Sequence, residues 1–257
     1  MLLAIDVGNT QIALGLFRED QLVGHWRFGT RPERTPDEMR WELLGVLEID
    51  GFAPRDVGGL CLSSVVPEVT ATLRSVAPAL TAGEIVVVKP GVRTGMPILI
   101  DNPHEVGADR IVNSLAARER HGTPAVVVDF GTSTNFDVIG PEGAYLGGAI
   151  APGLEIATNA LISGTAALRR VEFAPPRSPI GKGTVEAIQS GSIYGHAGLV
   201  DGIVERIAAE FDGGVTRIAT GGLAPTIVPH CRSVDLVDEF LTLEGLRLIF
   251  DRNRDDA

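Results

Sequence analysis

Residues 2–10, Leu-Leu-Ala-Ile-Asp-Val-Gly-Asn-Thr, and residues 125–134, Ala-Val-Val-Val-Asp-Phe-Gly-Thr-Ser-Thr, decide the fold. Each is a short apolar run that ends in Asp-x-Gly followed by Asn or Thr. Each then continues into a second β-like run, Ile12 to Phe17 in one case and Phe136 to Ile139 in the other. Asp6 and Asp129 stand 123 positions apart, roughly half of a 257-residue chain. A strand-turn pattern repeated at that spacing predicts an internal duplication, two halves of like topology.

Working outward, Leu2 to Ile5, Ile12 to Phe17 and Leu22 to Phe28 read as strands of an antiparallel meander with a turn at Glu19-Asp20. Thr35-Pro36-Asp37-Glu38 opens a helix: Thr35 caps, Pro36 suits the first position and Glu38 completes a capping box. Met39, Leu43, Val46 and Leu47 give it an apolar face, and Trp26 and Trp41 are expected in the core. Gly59 to Leu62 and Ile85 to Val88 read as further strands. Residues 89–108 lack periodicity, and a loop of that length is usually functional. It leads into a helix with Asp109 near its amino end.

In the second half, Thr184 to Phe211 is helical but carries Gly191, Gly195, Gly198 and Gly202. Each costs about 1 kcal/mol relative to alanine, which predicts two helices or close packing against a strand or ligand. Arg217 to Thr220 is a strand running into Gly221-Gly222, Leu243 to Phe250 a last helix, and Arg252 to Ala257 a frayed polar tail. The division expected is 1–118, with a substrate loop at 89–110, and 119–257.

Twenty-two basic against 33 acidic residues give a net charge of -11, which disfavours nucleic acid as a partner. Hydrophobic residues are 44% and charged residues 21%, a globular mix. Two cysteines are too few for a disulfide framework or thiolate metal site. The amino end has no basic segment before its apolar run, and no long uncharged apolar stretch predicts a membrane span. A soluble cytoplasmic protein is expected.

The two Asp-x-Gly turns suit phosphate chemistry. Glycine lets backbone amides approach a polyphosphate, and a strand-end carboxylate can hold a metal ion or its water. Gly221-Gly222 offers flat backbone to an adenine or ribose. Such turns also arise simply because Asp, Gly, Asn and Thr favour turns. For Asp109, spacing alone favours a helix cap, while a carboxylate beside Arg110 after a glycine-rich loop could also serve as a general base in phosphoryl transfer. Gly181-Lys182-Gly183-Thr184 is not a phosphate-binding P-loop, because Gly183 follows the lysine. The five histidines lack metal-ligand spacing, and His104 is expected in solvent.

These residues carry a resemblance. Asp6 to Thr10, Gly91 to Gly95, Asp101 to Asn113, Asp129 to Thr132, Gly147 to Gly153, Ile180 to Lys182, Thr184 to Ala187, Gly198 to Gly202 and Ala219 to Gly222 together resemble type III pantothenate kinases of the acetate and sugar kinase/Hsc70/actin superfamily. The resemblance implies an α/β fold of two ribonuclease-H-like, actin-like halves with mixed sheets flanked by helices and an ATP cleft between them. It implies ATP-dependent phosphorylation of pantothenate to 4'-phosphopantothenate, the first step of coenzyme A synthesis, by a homodimer.

By the same resemblance, Asp6, Val7, Gly8, Asn9, Thr10, Gln11, Ile12, Ala13 and Thr132 contact ATP, which comes with Mg²⁺. Gly107, Ala108, Asp109, Arg110 and Thr184 contact pantothenate, and Asp109 is the proton acceptor. Asp129 holds a monovalent cation, K⁺ or NH₄⁺. The chain departs from the family pattern at Ile100, often a tyrosine, at Ser133 and Asn135 beside the second turn, and at Gly183, often an asparagine.

Overall fold

The computed structural model describes residues 1–254. They form two units: one comprises 1–95, 102–116 and the residues from 242 on, the other 96–101 and 117–241.

The first unit begins with β1 (Leu2–Val7), β2 (Gln11–Arg18) and β3 (Gln21–Gly29), the expected meander. Helix α1 (Pro36–Ile49) follows, with Thr35 and Glu38 forming the capping box in both directions. Then come β4 (Gly59–Ser64), α2 (Pro67–Leu80) and β5 (Glu84–Val87), giving a sheet ordered β3-β2-β1-β4-β5. β1 runs antiparallel to β2 and parallel to β4. Being central, β1 is buried on both faces, which explains its continuous apolar run where an exposed strand would alternate. Leu3, Ile5 and Val7 pack with Met39 and Leu43 of α1 and Val69 and Leu73 of α2. The alternate residues Leu2, Ala4 and Asp6 belong to the opposite face.

Helix α3 (Ala108–His121) leads to β6 (Ala125–Phe130), β7 (Ser133–Ile139), β8 (Tyr145–Pro152), α4 (Leu154–Ser163) and α5 (Thr184–Ala208). β9 (Thr216–Thr220), the single turn α6 (Ala224–Ile227), β10 (Leu236–Val237) and α7 (Leu241–Asn253) complete the chain. The second sheet is ordered β10-β9-β6-β7-β8. Read from the other end, it repeats the first sheet strand for strand: β6 stands where β1 does, antiparallel to β7 and parallel to β9. The two five-stranded mixed sheets flanked by helices are the duplicated ribonuclease-H-like halves. Val126, Val128 and Phe130 pack with Ile193, Ala197, Val200 and Val204 of α5. Asp129, like Asp6, lies on the face turned away from that core.

Helix α7 belongs to the first unit. Phe250 lies on Gly59, where a side chain would collide with its ring, and the Arg247 guanidinium sits 5.9 Å from the centre of the Phe17 ring. Gly245 brings α7 so close to α3 that a methyl group there would overlap the Val112 carbonyl.

Three expectations change. Trp41 is 77% exposed: it is two residues from the Met39–Leu43–Leu47 stripe, hence about 200° around the helix. Trp26, by contrast, does pack against the core, half-buried and edge-on to Phe52, and donates its indole N–H to Asp50. The region from Thr184 is one unbroken helix to Ala208, not two, because Ile188, Ile193, Ala197, Val200 and Val204 form a buried stripe that outweighs its glycines. A side chain at Gly191, Gly195 or Gly198 would meet open space, so these glycines serve no tight packing. Finally, Arg252 and Asn253 are helical and bonded, not frayed; residues 255–257 lie outside the described residues.

Denaturant unfolding checks the face assignment of α1. Trp41→Ala should change stability by no more than about 0.5 kcal/mol, whereas Met39→Ala should cost about 2–5 kcal/mol.

Candidate active site

The first Asp-x-Gly turn follows from the register of β1 and β2. Asp6 pairs with Ala13 and Val7 with Ile12, which leaves Gly8 to Gln11 as the connection. The Gly8 N–H donates to the Gln11 carbonyl at 2.9 Å. Asn9, Thr10 and Gln11 are exposed and Asp6 is half-buried. Thr30, just past β3, braces this turn: its hydroxyl donates to the Gly8 carbonyl at 2.7 Å and its N–H to the Thr10 carbonyl at 2.9 Å. Nothing in the sequence marks Thr30, since the contact depends on the β2–β3 register.

The second turn is one residue tighter. Asp129 pairs with Asn135 and Phe130 with Thr134, leaving Gly131 to Ser133. Three elements of its unit brace it. Gly221, in a left-handed conformation (φ 93°), lies against Asp129 so closely that a methyl group would stand 2.5 Å from a carboxylate oxygen. Gly153, just before α4, lies on the Gly131 and Thr132 carbonyls with no room for a side chain. His196 of α5 is buried and meets the Thr134 hydroxyl at 2.9 Å from Nε2. Burial holds its imidazole below the usual pKa and therefore neutral. The two departures at this turn bond to one another, the Ser133 hydroxyl donating to Asn135 Oδ1 at 3.0 Å.

Asp109 is in the first turn of α3, one residue inside its start, so it is not the residue before the helix that a cap would be. Its Oδ1 accepts the Arg110 N–H at 2.9 Å. Gly107 makes this arrangement possible: a methyl group on Gly107 would overlap that same oxygen. Burial pushes the Asp109 carboxyl above the usual carboxylate range, against the opposing pull of the Arg110 N–H and guanidinium. A carboxylate destabilised in this way is a better proton acceptor than one in water.

Thr184 is the first residue of α5 and opens on a cavity of about 900 Å³ within the second unit. Leu154 and Thr158 of α4 and Gly191, Gly195 and His196 of α5 also line it. The Gly181-Lys182-Gly183 stretch before Thr184 is held by Glu186, which accepts the Lys182 N–H and pairs with Arg177. Of the remaining departures, Ile100 packs against Gly147 of β8, and Gly183 precedes α5 with open space around it.

The structure thus groups Asp6 to Ala13 and Gly107 to Arg110 in the first unit, and Asp129, Thr132 and Thr184 in the second. Among the described residues no cluster of three or more His, Cys, Asp or Glu could hold a metal by itself. No described helix is long and apolar enough to cross a membrane.

Raising the Asp109 pKa on folding has a stability consequence. The ionised form is disfavoured in the folded chain, so its cost is full above the raised pKa and absent once pH falls below the ordinary carboxylate range. Asp109→Asn should therefore raise Tm at pH 7, with the difference from wild type shrinking as pH approaches 4 in thermal melts.

Known proteins resemble this chain in sequence and in fold. The sequence pattern of type III pantothenate kinases matches residues 2–206. A type III pantothenate kinase of Acidothermus cellulolyticus is 54% identical over 256 residues, covering 98% of this chain and 99% of its own. One from Moorella thermoacetica is 49% identical over 253 residues, covering 98% and 100%. Solved structures share the fold: a conserved putative Baf family transcriptional activator from Campylobacter jejuni has a TM-score of 0.59 at 17% identity, covering 98% of each chain. An inorganic polyphosphate/ATP-glucomannokinase from Arthrobacter sp. strain KM has a TM-score of 0.52 at 15% identity, covering 98% and 99%. With relatives this similar along nearly its whole length, the chain belongs to the type III pantothenate kinase family.

Proposed function

We propose that Asp109 is the proton acceptor in the ATP-dependent phosphorylation of pantothenate that defines this family. The observation that carries the proposal is the carboxylate of Asp109, held over Gly107 and made more basic by burial. In the reaction the Asp109 carboxylate takes the proton of the pantothenate hydroxyl. The hydroxyl oxygen forms a bond to the γ-phosphorus, and the bond from that phosphorus to the β–γ bridging oxygen breaks, releasing ADP. Gly107, Ala108 and Arg110 of the first unit are assigned to pantothenate, and so is Thr184, which lines the cavity of the second unit. Asp6, Val7, Gly8, Asn9, Thr10, Gln11, Ile12, Ala13 and Thr132 hold the ATP phosphates through backbone amides and hydroxyls, the groups that glycine turns expose.

Bound Mg²⁺ supplies charge neutralisation on the phosphates. Asp129 is the ligand for a monovalent cation, K⁺ or NH₄⁺; its support is a hard oxygen donor at the end of β6, with Gly221 packed against it so closely that a methyl group would stand 2.5 Å from that oxygen. The chain is also read as a cytoplasmic homodimer. The exposed aliphatic side chains of Ile150, Ile156, Leu161 and Val185 support such a partner surface.

Coupled measurement of ADP release, with and without pantothenate and K⁺, tests the assignment. Asp109→Asn should lower kcat by about 10²- to 10⁴-fold; near-normal turnover would remove Asp109 from the proton-transfer role. Asp129→Ala should abolish activation by K⁺ or NH₄⁺, and an unchanged cation response would place that ion elsewhere.

A further inference from the structure

The loop 89–110 leaves β5 and is fastened before it reaches the pantothenate-contacting residues. One fastening comes from the far end of the sequence. The Arg93 N–H donates to Asn253 Oδ1 at 2.9 Å, and Asn253 Nδ2 donates back to the Arg93 carbonyl at 2.8 Å. The amide of Asn253 thus pairs with both backbone groups of Arg93, as a neighbouring strand would. Its second N–H donates to the Ile249 carbonyl at 2.7 Å, which uses both donors of the side chain and fixes its orientation. Arg252 donates to the Thr94 carbonyl, and its guanidinium lies 3.4 Å from the site of a methyl group on Gly95. Gly91 and Gly95 on either side have left-handed backbones, φ 93° and 63°, while Thr94 and Met96 are buried. A second fastening follows at once: the Tyr145 N–H donates to the Pro97 carbonyl and the Leu99 N–H to the Tyr145 carbonyl, each at 2.8 Å.

The geometry points to Asn253, assisted by Arg252, as a positioning residue for the pantothenate site: it holds the start of the substrate loop so that little ordering remains to be done when substrate binds. This rests on the assignment of residues 107–110 to pantothenate. The side chain of Asn253 bonds to the backbone of Arg93 and Ile249, not to residues 107–110. Its effect is therefore on the binding-competent fraction of the loop, which enters the apparent affinity and leaves the chemical step alone. The nucleotide turns are braced separately, by Thr30 and by Gly153 and His196, so ATP should not sense the change.

Steady-state kinetics of the full chain tests this. Asn253→Ala should raise KM for pantothenate about tenfold, with kcat and KM for ATP within about twofold of wild type, since three hydrogen bonds of ordinary strength are lost. Asn253→Asp should match it, because a carboxylate can still accept the Arg93 N–H but faces the Arg93 and Ile249 carbonyls without a proton to give. Arg93→Pro, which removes the N–H from the other side, should raise the same KM and add little when combined with Asn253→Ala. Hydrogen exchange should show faster exchange confined to residues 91–106. An unchanged pantothenate KM in both Asn253 variants overturns the proposal. So does a joint fall in kcat and both affinities with a lower Tm, which is the pattern of general destabilisation. Asp109→Asn run alongside separates the two levels: if it keeps turnover, the reading of residues 107–110 falls and the clamp with it. If it loses turnover while Asn253→Ala keeps a normal pantothenate KM, the clamp alone falls.

Discussion

Everything in this molecule depends on where two central strands stop being apolar. β1 and β6 are each covered on both faces, and each keeps to aliphatic residues until a carboxylate appears one residue before the end. A shift of one residue in either register would move Asp6 or Asp129 into the face packed by helices, leaving an ionised group among Leu, Val and Met side chains. The hydrophobic cores thereby set the register, and the register sets the turns. The turn glycines proposed to meet phosphate are thus located by burial elsewhere in the sheet.

The equivalence of the two halves is topological more than local. The same strand order and the same Asp-x-Gly pattern carry turns of different length, four connecting residues in the first and three in the second. Different neighbours brace them: a threonine past the third strand in one unit, glycines and a buried neutral histidine in the other. Asp109 has no counterpart in this scheme. Its carboxylate is shaped by Gly107 and by burial, so the group proposed to accept the proton and the turns proposed to hold phosphate are controlled by separate parts of the sequence.

Much of this was legible beforehand because the signals are short-range. The meander, the capping box at Thr35–Glu38 and the restart at Ala125 all announce themselves within about ten residues. What was not legible depends on distant partners. Residues 145–152, Tyr-Leu-Gly-Gly-Ala-Ile-Ala-Pro, form a strand only because β7 offers it an edge, since glycine and proline give it little intrinsic preference. The glycines of α5 argued locally for a break, but the buried stripe on the opposite side overrode them. Trp41 is hydrophobic yet exposed, because its angular position on α1 turns it away from Met39, Leu43 and Leu47. The helical state of Arg252 and Asn253, and their grip on Arg93 and Thr94, join positions about 160 apart, beyond any periodicity.

The route of the chain has a consequence for biosynthesis. Part of the cover of the first sheet comes from α7, with Phe250 resting on Gly59 and Leu243 beside Gly15. On a ribosome the amino-terminal sheet must therefore wait, with aliphatic surface uncovered, while the whole of the second sheet is made. The first sheet is made before the second but is completed after it, and the interval is one in which a chaperone has an apolar sheet face to protect.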